Sequence, residues 1–172
     1  MRIRFPLRPL LLALASVALL VASSRPASAG KVDWRSWDDG LARAKSGNRF
    51  VVVDVYTDWC GWCRRMEADV YARRDVSEYL DSKFVTVKLN AESGELVHRG
   101  ERSMSARTLA SQFQVTGYPT TIFLRPDGER LANVPGYIPA EKFLLLLRYI
   151  GDGHMDRGEK WEDFVAAQPK AN

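Results

Sequence analysis

The sequence predicts an α/β domain built on a central mixed β-sheet with helices on both faces. Two runs, "RFVVVDVYT" and "KFVTVKL", have the nearly continuous β-branched and apolar character of strands that are buried on both faces. Helical patterns alternate with these strands, and a hairpin pattern followed by one more helix comes later in the chain. Such an order indicates one sheet with helices packed against both of its faces.

The first predicted helix lies within "WRSWDDGLARAKSGN". Trp34, Trp37, Leu41 and Ala44 recur there at helical spacing, and Gly47-Asn48 is a typical helix end. The strand "RFVVVDVYT" follows directly.

A second helix is predicted from Cys60 to about Arg73. An apolar stripe of the kind that packs on a sheet contains Trp62, Cys63, Met66 and Val70. The next helix is short and ends near residue 81. Asp75 and Glu78 form a capping-box pattern that predicts its start.

The second half of the chain begins with a polar, aperiodic stretch at 90–103, "NAESGELVHRGERS", which predicts an exposed loop. A helix carrying Leu109 and Phe113 follows, and then "YPTTIFL", the turn "RPDGE" and "RLANV" predict a hairpin. Pro139 is expected as the first residue of a helix that ends at Gly151. A last short helix is expected around residues 161–165.

The N-terminal 29 residues have the pattern of a secretory signal peptide. A basic start and a short apolar run precede a small-residue cleavage pattern that ends at Ala29. Because the run is shorter than a membrane-spanning helix, we favour cleavage and export to the periplasm over a retained anchor. We expect residues 30–172 to form a single domain, with its core at about 36–150 and an extension at 151–172.

Removing this segment changes the charge balance. The full chain has 25 Lys and Arg against 21 Asp and Glu, and four of the arginines lie in the first 29 residues, which contain no acid. The remaining chain has 21 basic and 21 acidic residues and is formally neutral. The composition therefore gives no support to binding of nucleic acid.

The chain has two cysteines, and both lie in "DWCGWC". A disulfide that closes so short a loop contributes about 2 kcal/mol at most to stability, and a domain of this size does not need one. A zinc site needs four ligands, and only His98 and His154 are available to complete it, so we expect no metal. The third reading is a redox pair.

The position of the pair supports redox chemistry. Cys60 is expected at the N-terminus of a helix that follows a buried strand, where unpaired N–H groups and the helix dipole stabilise a thiolate. Cys63 returns to the same face one turn deeper, within reach of Cys60, and is placed to resolve a mixed disulfide.

Asp54 and Pro119 are unusual in their predicted strands. Asp54 lies inside an apolar run, either as a core carboxylate satisfied by a hydrogen bond or by Lys88, or as an acid with a raised pKa that takes the proton from Cys63. Pro119 opens a strand, and the residues alone do not decide between cis and trans. Nor do they decide whether Trp62 and Tyr118 are core residues or an apolar collar around the sulfurs.

At these residues the sequence resembles the thioredoxin family, and in particular its exported thioredoxin-like members. The resemblance rests on "VVVDVYTDWCGWCRRM", "VKLN" and "VTGYPTTIFLRPDGE", and it spans about residues 36–150. The opening "DVYTDWC" and the stretch "MEADVYARRDV" are similar to the C-terminal periplasmic domain of the transmembrane disulfide reductases. The resemblance implies a thioredoxin fold.

The resemblance also implies roles for particular residues. Cys60 would be the exposed nucleophile and Cys63 the resolving thiol, with Asp54 and Lys88 assisting proton transfer. A cis Pro119 and the backbone of its neighbour would bind a substrate strand. The residues implied in substrate binding are Trp59, Gly61, Trp62, Tyr118 and Pro119. Two departures from the family are the Gly-Trp dipeptide between the cysteines and the longer segment 90–103, for which a solvated insertion is the expectation.

We therefore expect an extracytoplasmic thiol-disulfide oxidoreductase that reduces protein disulfides through Cys60 and Cys63. The alternatives are an oxidase or isomerase that uses the same pair, or a redox-inactive binding module. The expected partners are protein disulfides or thiols and a membrane-linked thiol electron donor. We expect a monomer with no cofactor other than the cysteine pair.

Overall fold

A four-stranded mixed sheet forms the centre of the protein in the computed structural model, which describes residues 30–168. The strand order is β2-β1-β5-β6, with β1 parallel to β2 and antiparallel to β5, and with β5 antiparallel to β6. A separate two-stranded sheet pairs β3 with β4. The strands are β1 (Phe50–Tyr56), β2 (Phe84–Asn90), β3 (Leu96–Arg99), β4 (Arg102–Ser105), β5 (Thr120–Leu124) and β6 (Arg130–Pro135).

Helices cover both faces of the central sheet. They are α1 (Trp37–Gly47), α2 (Gly61–Met66), α3 (Arg74–Lys83), α4 (Ala106–Gln112), α5 (Ala140–Gly151) and α6 (Trp161–Ala166), with a π-helical turn at Glu67–Tyr71. Helices α1 and α4 pack into one apolar cluster, and α2, the π-helical turn, α3 and α5 pack into the other. The predicted fold class, a mixed sheet with helices on both faces, is confirmed.

Alternation along β1 decides which side chains face each cluster. Val51, Val53 and Val55 belong to the cluster with α1 and α4, whereas Val52 belongs to the cluster with α2 and α5. Since successive side chains of a strand point to opposite faces, Asp54 shares the face of Val52. Asp54 therefore points towards the helices that follow the cysteine pair.

The prediction that the first helix already includes Trp34 is wrong. The segment before α1 is extended, because the backbone of Arg35 accepts from Lys88 N and donates to Thr86 O, each at 3.0 Å. These bonds place Arg35 in a parallel bridge with Val87 on the outer edge of β2. Trp34 consequently packs with the α2 and α5 cluster rather than with α1.

The helix that follows the cysteines is not continuous to Arg73 as predicted. After α2 the backbone widens into a π-helical turn, in which Ala72 N donates to Glu67 O at 3.0 Å. The wider turn buries the consecutive residues Val70 and Tyr71. Of the predicted apolar stripe, Cys63, Met66 and Val70 are buried, but Trp62 points into solvent with 55 % of its surface exposed.

The capping box predicted for the next helix is not formed. Helix α3 begins two residues earlier than the box requires, with Arg73 rather than Asp75 as its N-cap. Asp75 pairs with Arg73, and Glu78 pairs with Arg74 at 2.6 Å, so neither side chain closes the box. Salt bridges to two adjacent arginines replace the predicted cap.

The segment 90–103 is a packed hairpin rather than the solvated loop that we expected. Val97 of β3 is buried in the cluster with α1 and α4, while its neighbour Leu96 is 67 % exposed. The hairpin is tied to the first helix because Trp37 Nε1 donates to His98 O and His98 N donates to Asp38, both at 2.8 Å. One apolar side chain and these polar bonds are too sparse a pattern to be recognised in the sequence.

The predicted elements of the C-terminal half are confirmed. The hairpin of β5 and β6 turns at Gly128, whose φ of +87° favours glycine, and Gly128 N donates to Arg125 O at 2.9 Å. Pro139 is the N-cap of α5 and not its first residue. Helix α6 buries Phe164 against Tyr149, with ring centroids 5.4 Å apart.

The signal peptide and cleavage site predicted for residues 1–29 lie outside the described residues. From residue 30 to residue 168, no helix combines the length and the apolar character that crossing a membrane requires.

Candidate active site

Cys60 and Cys63 form a disulfide at the junction of β1 and α2. Cys60 is the N-cap of α2, and its Sγ accepts a hydrogen bond from Cys63 N at 3.0 Å. Cys60 N in turn donates to Thr57 O, so a tight turn links the strand to the helix. Cys60 thus lies at a helix N-terminus, where the sequence places it.

The expected difference in depth between the two cysteines is not found in the disulfide form. Cys60 is 4 % exposed and Cys63 is 8 % exposed, so both are buried. The reason is that the sulfur of Cys60 is turned back onto the first turn of α2 by the disulfide and by the hydrogen bond from Cys63 N.

Asp54 lies in the sheet beneath this junction. It is 2 % exposed, and its Oδ1 accepts a hydrogen bond from the hydroxyl of Tyr71 at 3.3 Å. Burial raises the pKa of Asp54 to about 6, the Lys88 charge opposes this rise, and the negative charge of Glu67 adds to it. A carboxyl group in this range exchanges a proton near neutral pH.

Lys88 faces Asp54 across the paired strands, as expected, but its main partner is another acid. Its Nζ lies 2.6 Å from Glu67 Oε2 and 3.7 Å from Asp54 Oδ2. The ammonium also lies 5.1 Å from the centre of the Trp34 ring and 5.2 Å from that of Tyr56. Lys88 therefore bridges the buried carboxyl and the half-exposed carboxylate of Glu67.

Sequence reasoning missed three members of this cluster: Trp34, Glu67 and Tyr71. Two of them carried a usable signal, because Glu67 and Tyr71 follow Cys63 at intervals of four and lie along one row of a helix. Trp34 carried no such signal, since its position depends on the extended segment that pairs with the outer edge of β2. Its ring meets that of Tyr71 edge-on with the centroids 4.9 Å apart.

Two aromatic pairs flank the disulfide. Trp59 is 64 % exposed, stands 6.0 Å from the ring of Tyr118, and donates from Nε1 to Glu92 at 3.0 Å. Trp62 lies 5.5 Å from the ring of Tyr137. The choice between a core residue and a collar residue is thus decided for Trp62, which is part of an exposed collar. Tyr118 contacts Trp59 but is partly buried against the cluster with α1 and α4.

The remaining substrate-binding candidates also lie at this surface. Gly61 is exposed at the first position of α2, and Pro119 is buried directly before β5. The Tyr118–Pro119 peptide bond is cis, as the resemblance implied.

The charged side chains that adjoin the cysteines in the sequence form bonds with other groups. Arg64 donates to the backbone oxygen of Asp58 at 3.1 Å, and the carboxylate of Asp58 accepts from Asn90 at 3.3 Å. Arg65 pairs with Asp69 at 3.0 Å and lies 5.5 Å from the centre of the Trp62 ring. The N-terminus of α2, where Cys60 is the N-cap, is a favourable environment for a Cys60 thiolate.

The histidines are held by single carboxylates. His98 Nδ1 lies 2.8 Å from Asp38, and His154 Nδ1 lies 2.6 Å from Glu159. In the part of the chain from 30 to 168, His, Cys, Asp and Glu side chains form no group of three or more that could hold a metal ion.

A mixed sheet with a C-x-x-C pair at a strand-to-helix junction and a cis proline beside it defines a thioredoxin-fold protein. The family model described as "Thioredoxin-like domain" matches residues 37–151, and the chain belongs to this family. The resemblance inferred from the sequence is therefore confirmed.

Relatives and solved structures agree with this assignment. The chain is 35 % identical over 113 residues to the thiol:disulfide interchange protein DsbD 2 of Pseudomonas aeruginosa, a match that covers 62 % of this chain but 17 % of that protein. It is 24 % identical to the disulfide bond reductase DsbH of Chlamydia pneumoniae, covering 73 % of this chain and 80 % of the relative. A thioredoxin from Thermus thermophilus superposes with a TM-score of 0.62 at 26 % identity, covering 74 % and 93 % of the two chains.

The chain thus spans less than a fifth of the length of its DsbD 2 relative and most of that of DsbH. These two relatives are thiol-disulfide oxidoreductases by name, and the chain has a cysteine pair at C-x-x-C spacing.

Proposed function

We propose that the protein is an extracytoplasmic oxidoreductase that reduces protein disulfides with the dithiol form of Cys60 and Cys63. The observation that carries the proposal is the pairing of a disulfide at a helix N-terminus with a buried carboxyl, Asp54, whose pKa is raised to about 6. A buried carboxyl with a raised pKa in the same layer as a cysteine pair is more typical of a catalytic site than of a structural disulfide.

The reaction begins with attack by the Cys60 thiolate on one sulfur of a substrate disulfide. A Cys60–substrate disulfide forms, and the first substrate sulfur leaves as a thiolate and takes up a proton. Cys63 then loses its proton and attacks Cys60 Sγ, which releases the second substrate thiol and closes the Cys60–Cys63 disulfide. The substrate gains two electrons and two protons, and the enzyme dithiol loses the same number. The two sulfurs carry both electrons, so no metal or organic cofactor enters the reaction.

Asp54 accepts the proton of Cys63 in this scheme. Cys63 lies on the buried side of α2, and Asp54 points to the same face of the sheet, so both groups belong to one layer. The positive charge of Lys88 compensates the negative charges of the two acids, because its Nζ lies 2.6 Å from Glu67 and 3.7 Å from Asp54. Asp54 acts on Cys63, whereas Lys88 is a positioning residue that acts through Asp54.

The collar of exposed aromatic side chains is proposed to receive the substrate. Trp59 and Trp62 lie on either side of Gly61 in the sequence, and Gly61 lets the substrate backbone come close to the sulfurs. Tyr118, whose ring contacts that of Trp59, and Pro119 extend this surface. An extended substrate segment that pairs with the backbone beside Pro119 is an instance of strand addition.

The match to the Chlamydia pneumoniae relative covers most of both chains, and that relative is named a disulfide bond reductase. This name favours reduction over oxidation. Export is supported by the signal-peptide pattern of residues 1–29. An exported reductase needs an electron donor linked to the membrane, because an oxidising compartment maintains no thiol pool of its own. We propose that such a donor returns the Cys60–Cys63 disulfide to the dithiol, and that the protein acts as a monomer.

The reduction potential of the pair tests the direction of electron flow. Equilibration of the protein with glutathione buffers, read by alkylation and mass spectrometry, is expected to give a value near the −270 mV of thioredoxin. A value near the −120 mV of DsbA would assign the protein as an oxidant instead. A Cys60→Ser variant that retained full activity would show that the fold serves only as a binding module.

A further inference from the structure

An apolar groove leads away from the aromatic collar on the side of Tyr137. It lies between the end of β6 and helix α5, has a cavity volume of about 350 Å³, and includes Trp161 of α6 in its lining. Its lining includes Val134, Tyr137, Pro139, Lys142, Leu146 and Trp161. A volume of this size is within the range of ligand-binding clefts in proteins.

The groove adjoins the aromatic collar beside the disulfide. Tyr137 forms its near end, and the ring of Tyr137 lies 5.5 Å from that of Trp62, which stands between the two cysteines in the sequence. From Pro139 to Leu146 the groove follows α5 for about 10 Å, since a helix rises about 1.5 Å per residue. That length accommodates about three residues of an extended chain, which rises about 3.3 Å per residue.

Part of the groove belongs to this chain and not to the family core. The family match ends at residue 151, whereas Trp161 lies in α6 beyond it. Helix α6 is held in place because Trp161 and Phe164 both pack on Tyr149, with ring centroids 5.3 Å and 5.4 Å away. The wall that Trp161 adds is therefore a fixed part of the structure.

The charges along the groove indicate its occupant. Lys142 is the charged residue in the lining, it is exposed, and no carboxylate of residues 30–168 lies within 4 Å of it. At the near end the guanidinium of Arg65 lies 6.0 Å from the centre of the Tyr137 ring. Arg65 is paired with Asp69 at 3.0 Å, so among residues 30–168 Lys142 is the unpaired cation of this groove. An apolar groove with one such cation is complementary to a chain segment that carries apolar side chains and an acid.

We propose that this groove binds an extended, apolar and acidic segment of the substrate polypeptide next to the disulfide that is reduced. The proposal rests on the proposed function and adds a substrate class to it: disulfide-containing proteins with acidic and apolar residues flanking the reactive cysteine. Trp161 and Leu146 contact the apolar side chains, and Lys142 pairs with the acid. Small disulfides do not reach the groove and do not benefit from it.

The test uses single-turnover oxidation of the reduced, mature protein. The probes are a cyclic disulfide peptide with Glu-Leu-Phe flanks, the same peptide with Lys-Leu-Phe flanks, and the neutral small disulfide bis(2-hydroxyethyl) disulfide. Released peptide thiol is measured after acid quench. The variants are Trp161→Ala and Lys142→Glu, and the matched control is Lys45→Glu, which makes the same charge change on α1.

Wild type is expected to react about tenfold faster with the acidic peptide than with the basic one, and Lys142→Glu to reverse this preference. Trp161→Ala is expected to slow both peptides by about fivefold. Bis(2-hydroxyethyl) disulfide should react at the wild-type rate with every variant, and Lys45→Glu should match wild type with all three probes. If Trp161→Ala detaches α6 from the domain, Lys142→Glu still tests the proposal, because an exposed side chain can be replaced without disturbing the fold.

Failure of this proposal is distinguishable from failure of the proposed function. A fluorescein-labelled acidic peptide with serine in place of both cysteines reports the groove by anisotropy, without chemistry. Equal binding by wild type and Lys142→Glu, or equal rates with both peptides, overturns the groove assignment. A wild-type dithiol that reduces none of the three disulfides overturns the function instead. A dimer in sedimentation that dissociates in Trp161→Ala would assign the groove to a second copy and overturn the proposal.

Discussion

The hydroxyl of Tyr71 donates a hydrogen bond to Asp54 Oδ1 over 3.3 Å, and both side chains are buried. Burial and the charge of Asp54 raise the pKa of Tyr71 well above its usual value, so the phenol stays a donor throughout the functional pH range. The pair thus connects the π-helical turn after the cysteines to the strand that carries the acid.

Replacing Tyr71 with Phe is expected to destabilise the protein more at high pH than at low pH. The lost hydrogen bond serves the charged form of Asp54, so the cost is about 2 kcal/mol at pH 8 and less than about 1 kcal/mol at pH 4.5. The same change raises the pKa of Asp54 further, because the Tyr71 bond lowers it. Urea unfolding of the oxidised variant at the two pH values measures this, and an equal cost at both would show that the hydroxyl does not serve the carboxylate.

Asp54→Asn is expected to stabilise the protein at neutral pH. The folded-state pKa of Asp54, about 6, lies above the value of 3.8 for a free carboxyl, so the folded state holds a proton that the unfolded state releases between these pH values. Stability contributed by the protonated acid is therefore lost as the pH rises from about 4 to about 6. At pH 7 the difference amounts to about 3 kcal/mol.

The measurement is the free energy of unfolding of wild type and Asp54→Asn, both oxidised, from pH 4 to pH 7.5. The advantage of the variant should grow from near zero at pH 4 to its full size above pH 6. Lys88 keeps its partner in the variant because Glu67 lies 2.6 Å away. A difference that stays constant with pH would contradict the raised pKa of Asp54.

In the reduced protein Cys60 is expected to alkylate at least about tenfold faster than Cys63 at pH 7. Its sulfur sits at the N-cap of α2, where Cys63 N donates to it and the helix dipole favours a thiolate. Timed reaction with iodoacetamide followed by peptide mass spectrometry gives the two rates. Equal rates would remove the basis for assigning separate roles to the two sulfurs.

Val97→Ala tests whether the hairpin of β3 and β4 belongs to the folded core. Val97 is buried, so the truncation is expected to cost about 2 kcal/mol. The matched control is Leu96→Ala at the adjacent exposed position, which should change stability by less than about 0.5 kcal/mol. Similar costs for the two variants in thermal or urea unfolding would mean that the hairpin does not pack as described.

The sequence predicted those site residues whose signal lies within one short segment. The C-x-x-C pair, the acid inside a buried strand and the proline before β5 are each recognisable within a few residues. Glu67 was missed although its spacing from Cys63 carried a signal. Trp34 was missed because its contact with Lys88 arises only when distant segments come together. For the same reason Trp34 was assigned to the first helix, since its spacing fits a helix and the bonds of Arg35 to β2 have no local signature.

The remaining differences in the fold have a similar origin. Asp75 and Glu78 have the spacing of a capping box, but arginines at 73 and 74 compete for both carboxylates. The stretch 90–103 is polar because most of its side chains face solvent, and the single buried residue Val97 does not produce a recognisable alternation.

The pairing of Arg35 with the outer edge of β2 also affects how copies of the protein can meet. Its two backbone bonds occupy part of the outer edge of β2, which leaves β6 as the open border of the central sheet in the described chain. That border ends at Pro135, which has no N–H to offer to an incoming strand. One edge of the sheet is partly covered and the other ends at a proline. Such a sheet is a poor template for the edge-to-edge strand pairing that leads to aggregates.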